Sequence, residues 1–523
     1  MGDTKQSKAA ARKATDKSPA KILNESRSKA REALGRTEAL TGLALGCMLA
    51  WVPMTFQSLN IVGDDAEAVL DLMYLVSIVA LTATLLAVAA THDRCAKWIV
   101  KAPTRAGASV LMASSTLLLA AAGTLATASA GTLTPPALAA TLAAGIASGA
   151  ASGVFLMQFG ILVSKFTAKA AAAIAAAGYL AMSALFCLYS FFGPMESCVF
   201  AVSMPLVSAF LRDMGAHTEK SKAAIAERSL PEQAVPTSAD DRRQLKHLTF
   251  SLAACCAMVG CANELSRTLY IQMGIAGAGN GNYAIIQTGA ALIIGLGATL
   301  ITLALVSMKT PRAPEICYRT LMLFLAAGAM MLPIPQLYPQ IGAVIPYAIN
   351  AAAIQCFSIL AWVLICGTCH RYLGTCVRTF ALVRAGWAAG PLIGMLAGRF
   401  VVRCTGFGPT EVYPCAIAAT LLVMLCAMAA FTERDLAFAV DLLPTEIRRK
   451  FSGKCLAVAA RCGLSERETE VMMLFAKGRN LAYIQEELHL SKSTVSTHRQ
   501  HIYQKLDVHS SQEMIDLIQA EKA

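Results

Sequence analysis

The chain has 523 residues, of which 56% are hydrophobic and 15% charged, against about 25% charged in ordinary soluble domains. A water-soluble body of this size needs a more polar exterior, so a wholly soluble protein is excluded. The formal charge of +12 is unevenly placed: residues 1–37 carry ten Lys/Arg against four Asp/Glu, and most of the middle is nearly neutral.

Residues 1–37 are rich in Lys, Ala and Ser and lack an apolar core before a small-residue cleavage site. They read as a disordered cytosolic tail rather than a signal peptide. The basic run from Lys5 to Arg36 suits anionic inner-leaflet lipids, although a plain solvated tail fits equally. Seventeen cysteines lie mostly inside apolar stretches, Cys255 and Cys256 side by side. They read as small buried residues in a reducing setting.

About 20 apolar residues cross a bilayer as a helix. Charge-free stretches, divided at Pro135-Pro136, at 274–282 and at 333–339, give twelve spans. Their cores are 39–59, 67–90, 107–130, 137–163, 170–192, 197–211, 248–269, 283–307, 317–336, 341–366, 379–402 and 411–431. The domains follow: a tail to residue 37, a six-helix half at 38–211, a connector at 212–246, a second half at 247–431, a linker at 432–460 and a soluble domain at 461–523. Alternate loops are basic: Arg94, Lys97, Lys101 and Arg105; Lys165 and Lys169; seven Lys/Arg from Arg212 to Lys246; Lys309, Arg312 and Arg319; Arg371 and Arg378. The others hold Asp64, Asp65, Glu67 and Glu196, with Arg403 the main exception. This bias puts both termini in the cytosol. Six spans, a basic connector and six more spans resemble the layout of the major facilitator superfamily, in which two halves enclose a midplane site. Of that superfamily's Gly-rich Asp/Arg loop after the second span, little beyond Asp93-Arg94 is present.

Polar residues inside spans are costly and point to function. Asn263, Glu264 and Arg267 share the seventh span, with Glu264 and Arg267 at i, i+3 spacing. Asn350 and Gln355 lie in the tenth span and Gln57 near the end of the first. Trp51, Trp362 and Trp387 can wall an apolar pocket. These residues suggest a site for a small-molecule ligand between the halves, anchored by Glu264 and Arg267; an ion pair that only joins helices is the alternative. Arg384 is expected to snorkel to the cytosolic surface. Cys366-Gly367-Thr368-Cys369-His370 has the spacing of a c-type haem attachment, but it falls at the cytosolic end of a span, and as a zinc set it lacks a fourth ligand. No Walker loop, activated serine or metal pair stands out, so neither an enzyme nor a cofactor is expected.

Beyond Thr432 the sequence becomes charged and helically periodic. Ser465 and Glu468 form a capping box that opens a helix with Val471, Leu474 and Phe475 on one face, ending at Gly478. Asn480 can cap a second helix with Ile484 and Leu488. Ser491 or Ser493 can cap a third with Val495, Ile502 and Leu506, and Ser510 with Glu513 a fourth with Met514, Ile515 and Ile518.

The run Leu464 to Val471, with Gly478, Ile484, Leu488, Ser491, Thr494-Val495, His498, Ile502 and Lys505 to Val508, closely resembles the LuxR/NarL-type helix-turn-helix. The resemblance implies an all-α fold: a polytopic bundle of about twelve spans followed by a soluble four-helix DNA-binding domain. It also implies a third helix in the major groove of double-stranded DNA, with Ser493, Ser496, Thr497 and Gln500 at base edges. Gln500 suits adenine and the Thr497 methyl suits thymine. Arg479, Asn480, Lys492, His498, Arg499 and Lys505 would meet phosphates. Met514, Ile515 and Ile518 resemble the family's dimer surface. Residues 443–523 hold twelve Lys/Arg against ten Asp/Glu, too little charge for tight binding by one copy, so a homodimer is expected. The expected function is that of a membrane-embedded, one-component transcription regulator. A secondary transporter with an appended DNA-binding module is the alternative, and a protein-binding scaffold a weaker one.

Overall fold

The computed structural model describes residues 19–63, 66–129, 133–166, 168–216, 239–270, 292–297, 299–300, 313–338, 344–372, 375–405, 409–432, 435–436, 446–476, 481–488 and 490–521. They fall into two compact units, residues 1–236 with 243–442, and residues 443–523 with 237–242.

The first unit holds α1 (Pro19–Phe56), α2 (Glu67–Ala90), α3 (His92–Ile99), α4 (Ala102–Thr127), α5 (Pro135–Val163), α6 (Ala168–Tyr189), α7 (Pro194–Ala216), α8 (Ala239–Tyr270) from residue 243 on, α9 (Ala313–Met330), α10 (Val344–Arg371), α11 (Cys376–Thr405) and α12 (Pro409–Leu425). Eleven helices among the described residues are long and apolar enough to cross a membrane, and each matches one expected span. The remaining span, expected over 283–307, lies mostly outside the described residues; 292–297 are helical, with Leu292, Ile293 and Leu296 exposed. Pro135 and Pro136 follow an extended Thr134 at the start of α5, where the missing N–H and fixed φ suit a first helical turn. The chain departs from expectation at its start: α1 begins at Pro19, so residues 19–37 are helical.

In the first half α2 packs on α5, α1 on α6 and α7, and α4 on α5 and α7; in the second, α9 packs on α10 and α12. The halves meet where α2 crosses α11 and α6 crosses α10. Small residues bring the axes together. At Gly149 an added Cβ would lie 2.2 Å from the Ser77 carbonyl oxygen, and at Gly390 2.2 Å from that of Ala257. In lipid, where no hydrophobic force separates helix from solvent, such close packing and interhelical hydrogen bonds hold the bundle. The Trp51 indole donates to Thr116 Oγ1 at 2.9 Å, Ser208 to the Ala44 carbonyl at 2.6 Å, and Ser148 to Ser77 Oγ at 2.9 Å. Outward positions are apolar, including Phe191, Val199, Phe210, Leu323 and Met428. This is the inverse of a soluble bundle.

The second unit is a helical module of α13 (Glu446–Arg461), α14 (Glu466–Ala476), α15 (Leu481–Leu488), α16 (Lys492–Leu506) and α17 (Ser511–Ala520). Its core joins Val471, Met472, Phe475, Ile484, Val495, Ile502, Leu506, Met514 and Ile518. Part of the stretch expected as linker, 432–460, is therefore structured: α13 buries Cys455, Val458 and Ala459 in the same core.

Candidate functional site

Three caps fix the module. The Glu468 N–H reaches Ser465 Oγ at 3.3 Å while Glu468 Oε2 accepts from the Ser465 N–H at 2.7 Å, the reciprocal capping box. Ser491 Oγ accepts from the Thr494 N–H at 3.1 Å to start α16, and Ser510 Oγ accepts from the Glu513 N–H at 3.1 Å to start α17. Asp507, left-handed at φ 53°, ends α16. The His509 N–H and the Ser510 cap hold the exposed Glu513 carboxyl below the usual range.

Val495, Ile502 and Leu506 face the core, so α16 turns its opposite side outward. Ser493, Thr497 and Gln500 are exposed and Ser496 half-buried. Positions 493, 497 and 500 recur at i, i+4 and i+7, one stripe of a helix. Gln504, also exposed, extends that stripe by one turn and was not among the sequence candidates. The Thr497 hydroxyl donates to the Ser493 carbonyl at 3.0 Å, leaving its methyl as the uncommitted group. Lys492 is exposed, while His498 and Arg499 are half-buried, the Arg499 guanidinium 5.9 Å from the Phe475 ring centroid. Arg479 and Asn480 lie outside the described residues.

Two sets of candidates make contacts inside the module. Lys505, expected at phosphate, also ties α16 to the α14 cap: its Nζ lies 2.7 Å from Glu468 Oε2 and 3.2 Å from the Gly463 carbonyl. The Lys505 ammonium, helped by the Ser465 N–H and hydroxyl, pulls the Glu468 carboxyl down to about 2. Met514 and Ile518, assigned to dimerisation, are fully buried inside the module because α17 spends that face on α13 and α14. Only Ile515 keeps partial exposure.

In the first unit a cavity of about 380 Å3 opens between the halves. Trp51 and Phe56 of α1 with Gln57 just after it, Tyr74 of α2, Tyr179 and Ser183 of α6, Asn263 and Arg267 of α8, Gln355, Ser358 and Trp362 of α10, and Arg384 and Trp387 of α11 line it. The three tryptophans proposed as walls and four of the six polar candidates thus come together. The other two support them from behind. Glu264 Oε1 accepts from Arg267 Nε at 2.8 Å, and Asn350 Nδ2 donates to Asn263 Oδ1 at 3.2 Å. Arg267 also stacks 5.3 Å from the Tyr74 centroid across the halves.

Arg384 does not snorkel. It is buried, with its guanidinium 4.0 Å from the Trp362 ring centroid and 5.5 Å from that of Phe380. Two aromatic faces hold the cation inside the bundle, and they come from α10 and from one turn earlier on α11, a meeting that spacing along one segment does not reveal. Cys366 and Cys369 are buried beside Cys376, whose carbonyl oxygen lies 3.6 Å from the Cys369 sulfur.

Residues 463–518 match the family described as bacterial regulatory proteins, luxR family. An uncharacterized response regulatory protein, YgeK of Escherichia coli K12, is 48% identical over 52 residues, 10% of this chain and 35% of that protein. The response regulator UvrY of the same strain is 39% identical over 54 residues, 10% of this chain and 25% of its own. The transcriptional regulatory protein LiaR of Bacillus subtilis is 30% identical over 118 residues, 21% of this chain and 56% of its own length. The chain thus covers about a quarter to just over half of these relatives. Among solved structures, the major facilitator superfamily proton:xylose symporter XylE aligns with a TM-score of 0.53 at 13% identity, over 80% of this chain and all of that one. A bacterial homologue of the iron transporter ferroportin aligns with a TM-score of 0.51 at 11% identity, over 78% and 98%. The chain is a membrane protein that joins a major-facilitator-like fold to a LuxR-type helix-turn-helix DNA-binding domain.

Proposed function

We propose that the protein is a membrane-embedded, one-component transcription regulator whose transporter-like body senses a small molecule and whose carboxy-terminal domain reads promoter DNA. The observation that carries this reading is the exposed Ser493–Thr497–Gln500 stripe on a helix capped at both ends, in one chain with a largely apolar cavity that holds a few polar groups between two membrane halves. Gln500, Thr497, Ser493 and Ser496 specify bases, and Lys492, His498 and Arg499, with Arg479 and Asn480, hold phosphates. Lys505 positions the reading helix through Glu468. Two copies read a two-fold site, associating through the outer face of α17 around Ile515. Both termini face the cytosol of a bacterial cytoplasmic membrane, an orientation that the alternating basic loops favour, and lipid covers the outward apolar side chains. Ligand controls the output by differential affinity for two arrangements of the halves.

The cavity between the halves also suits a secondary transporter with an appended regulatory module. The two readings separate on the full chain in lipid nanodiscs and vesicles. The regulator reading expects a discrete footprint upstream of neighbouring genes, lost on Gln500→Ala with Lys492→Ala. No footprint, together with counterflow uptake in vesicles, would establish the transporter instead.

A further inference from the structure

Among the described residues, the cavity carries one positive charge without a countercharge. Arg267 is matched by Glu264, but Arg384 has no such partner among the described residues. Its Nε and Nη2 are buried without an acceptor, and its side chain is 96% buried at the cavity wall. The titratable groups that feel its charge among the described residues, Tyr179, Cys256 and Cys366, include no carboxylate. An unpaired guanidinium at bilayer depth is expensive, and its aromatic neighbours offer it no hydrogen-bond acceptor. Next to it, the Tyr179 and Ser358 hydroxyls bond each other from opposite halves and both line the cavity. The rest of the wall is largely aromatic and aliphatic, with Trp51, Phe56 and Trp387 among its larger surfaces.

We propose that the cavity binds an organic monocarboxylate with an apolar body, its carboxylate on Arg384 and the Tyr179–Ser358 hydroxyl pair and its body against the tryptophans. A guanidinium presents parallel N–H donors that fit a carboxylate. One uncompensated cation matches one negative charge, which favours a monoanion over a cation or a dianion. A cavity of about 380 Å3 is within the range of small-molecule sites. Because Tyr179 belongs to the first half and Ser358 and Arg384 to the second, the bound anion would bridge the halves. The proposal rests on the sensing role proposed above and names the class of molecule sensed.

The test is calorimetric binding to the full chain in nanodiscs, with empty nanodiscs as the blank. Three acids, benzoate, 3-phenylpropionate and octanoate, are each compared with their neutral amide. At least one acid is expected to bind about tenfold or more tightly than its amide, and Arg384→Gln to remove that preference while Arg384→Lys retains part of it. Equal or tighter binding of every amide, no binding of any acid, or an acid preference untouched in a folded Arg384→Gln chain would overturn the proposal. The acid–amide comparison in the unsubstituted protein decides the matter even where the variants do not fold. DNA protection by the same samples separates the two readings. An acid that binds without changing protection supports the anion site and contradicts sensing, whereas intact protection with no acid bound contradicts the anion site alone.

Discussion

At the residue scale the third helix of the DNA-binding domain divides its work between its two faces. Gln500 is exposed and able to pair bidentately with adenine. Its replacement by Ala should relax preference at one base position, at a cost of about 1–3 kcal/mol for the favoured base, read by competition binding against single-base variants of the site. Lys492→Ala should instead weaken all sequences alike and lower the slope of log K against log salt by about 1. Lys505→Met is predicted to act mainly through the fold, since its ammonium already sits on Glu468. The caps Ser465, Ser491 and Ser510 were legible because a cap is a local pattern of three or four residues. The role of Lys505 was not, because Glu468 lies 37 residues away in sequence. Arg384 misled for the same reason: distance from a helix end suggests snorkelling, and only the packing of α10 against α11 supplies the ring that holds it.

At the element scale the capping box of α14 and the close approach of α8 to α11 give two measurable consequences. The Glu468 carboxyl is depressed to about 2 in the folded module and returns to about 4.3 on unfolding. Its stabilising contribution is complete above about pH 4.3 and fades as pH falls toward 2. Thermal unfolding of the 443–523 unit by circular dichroism should show a stability gap between the parent and Glu468→Gln at neutral pH that closes across that window. A gap independent of pH would remove the Lys505 pairing as its source. In the membrane body, Gly390→Val must displace α8, because even a Cβ would meet the Ala257 carbonyl at 2.2 Å. The cost should be about 1–3 kcal/mol or more, visible as a lower melting temperature in detergent, whereas Ala397→Val on the exposed side of α11 should be nearly silent. Span existence could be read from charge-free length alone, which depends on the bilayer and not on partners. The start of α1 at Pro19 and the docking of α13 could not: a polar, Lys-rich run looks like tail until its helix continues into a span, and the apolar positions of α13, Cys455, Val458 and Ala459, show their purpose only against α14 and α17.

At the scale of the whole molecule, composition and the long charge-free stretches already indicated a polytopic helical body followed by a separate helix-turn-helix domain, because each is a statement about solvent: lipid or water. The cavity was legible only as scattered polar residues in spans. Gln57, Asn263, Arg267 and Gln355 line one cavity because helices of both halves meet there, and no single segment records that meeting. If the cavity ligand biases the halves, its effect on DNA affinity must equal the effect of DNA on ligand affinity. Titrating one ligand at saturating and at zero concentration of the other checks that equality. The central claim, that a reader of DNA works while anchored in the membrane, is tested most directly by mapping chromosomal sites crosslinked to the full chain in washed cell membranes. Discrete sites are predicted, and they should vanish when Lys492 and Gln500 are both replaced by Ala. A profile without discrete peaks, or peaks unchanged by that double substitution, would contradict the account.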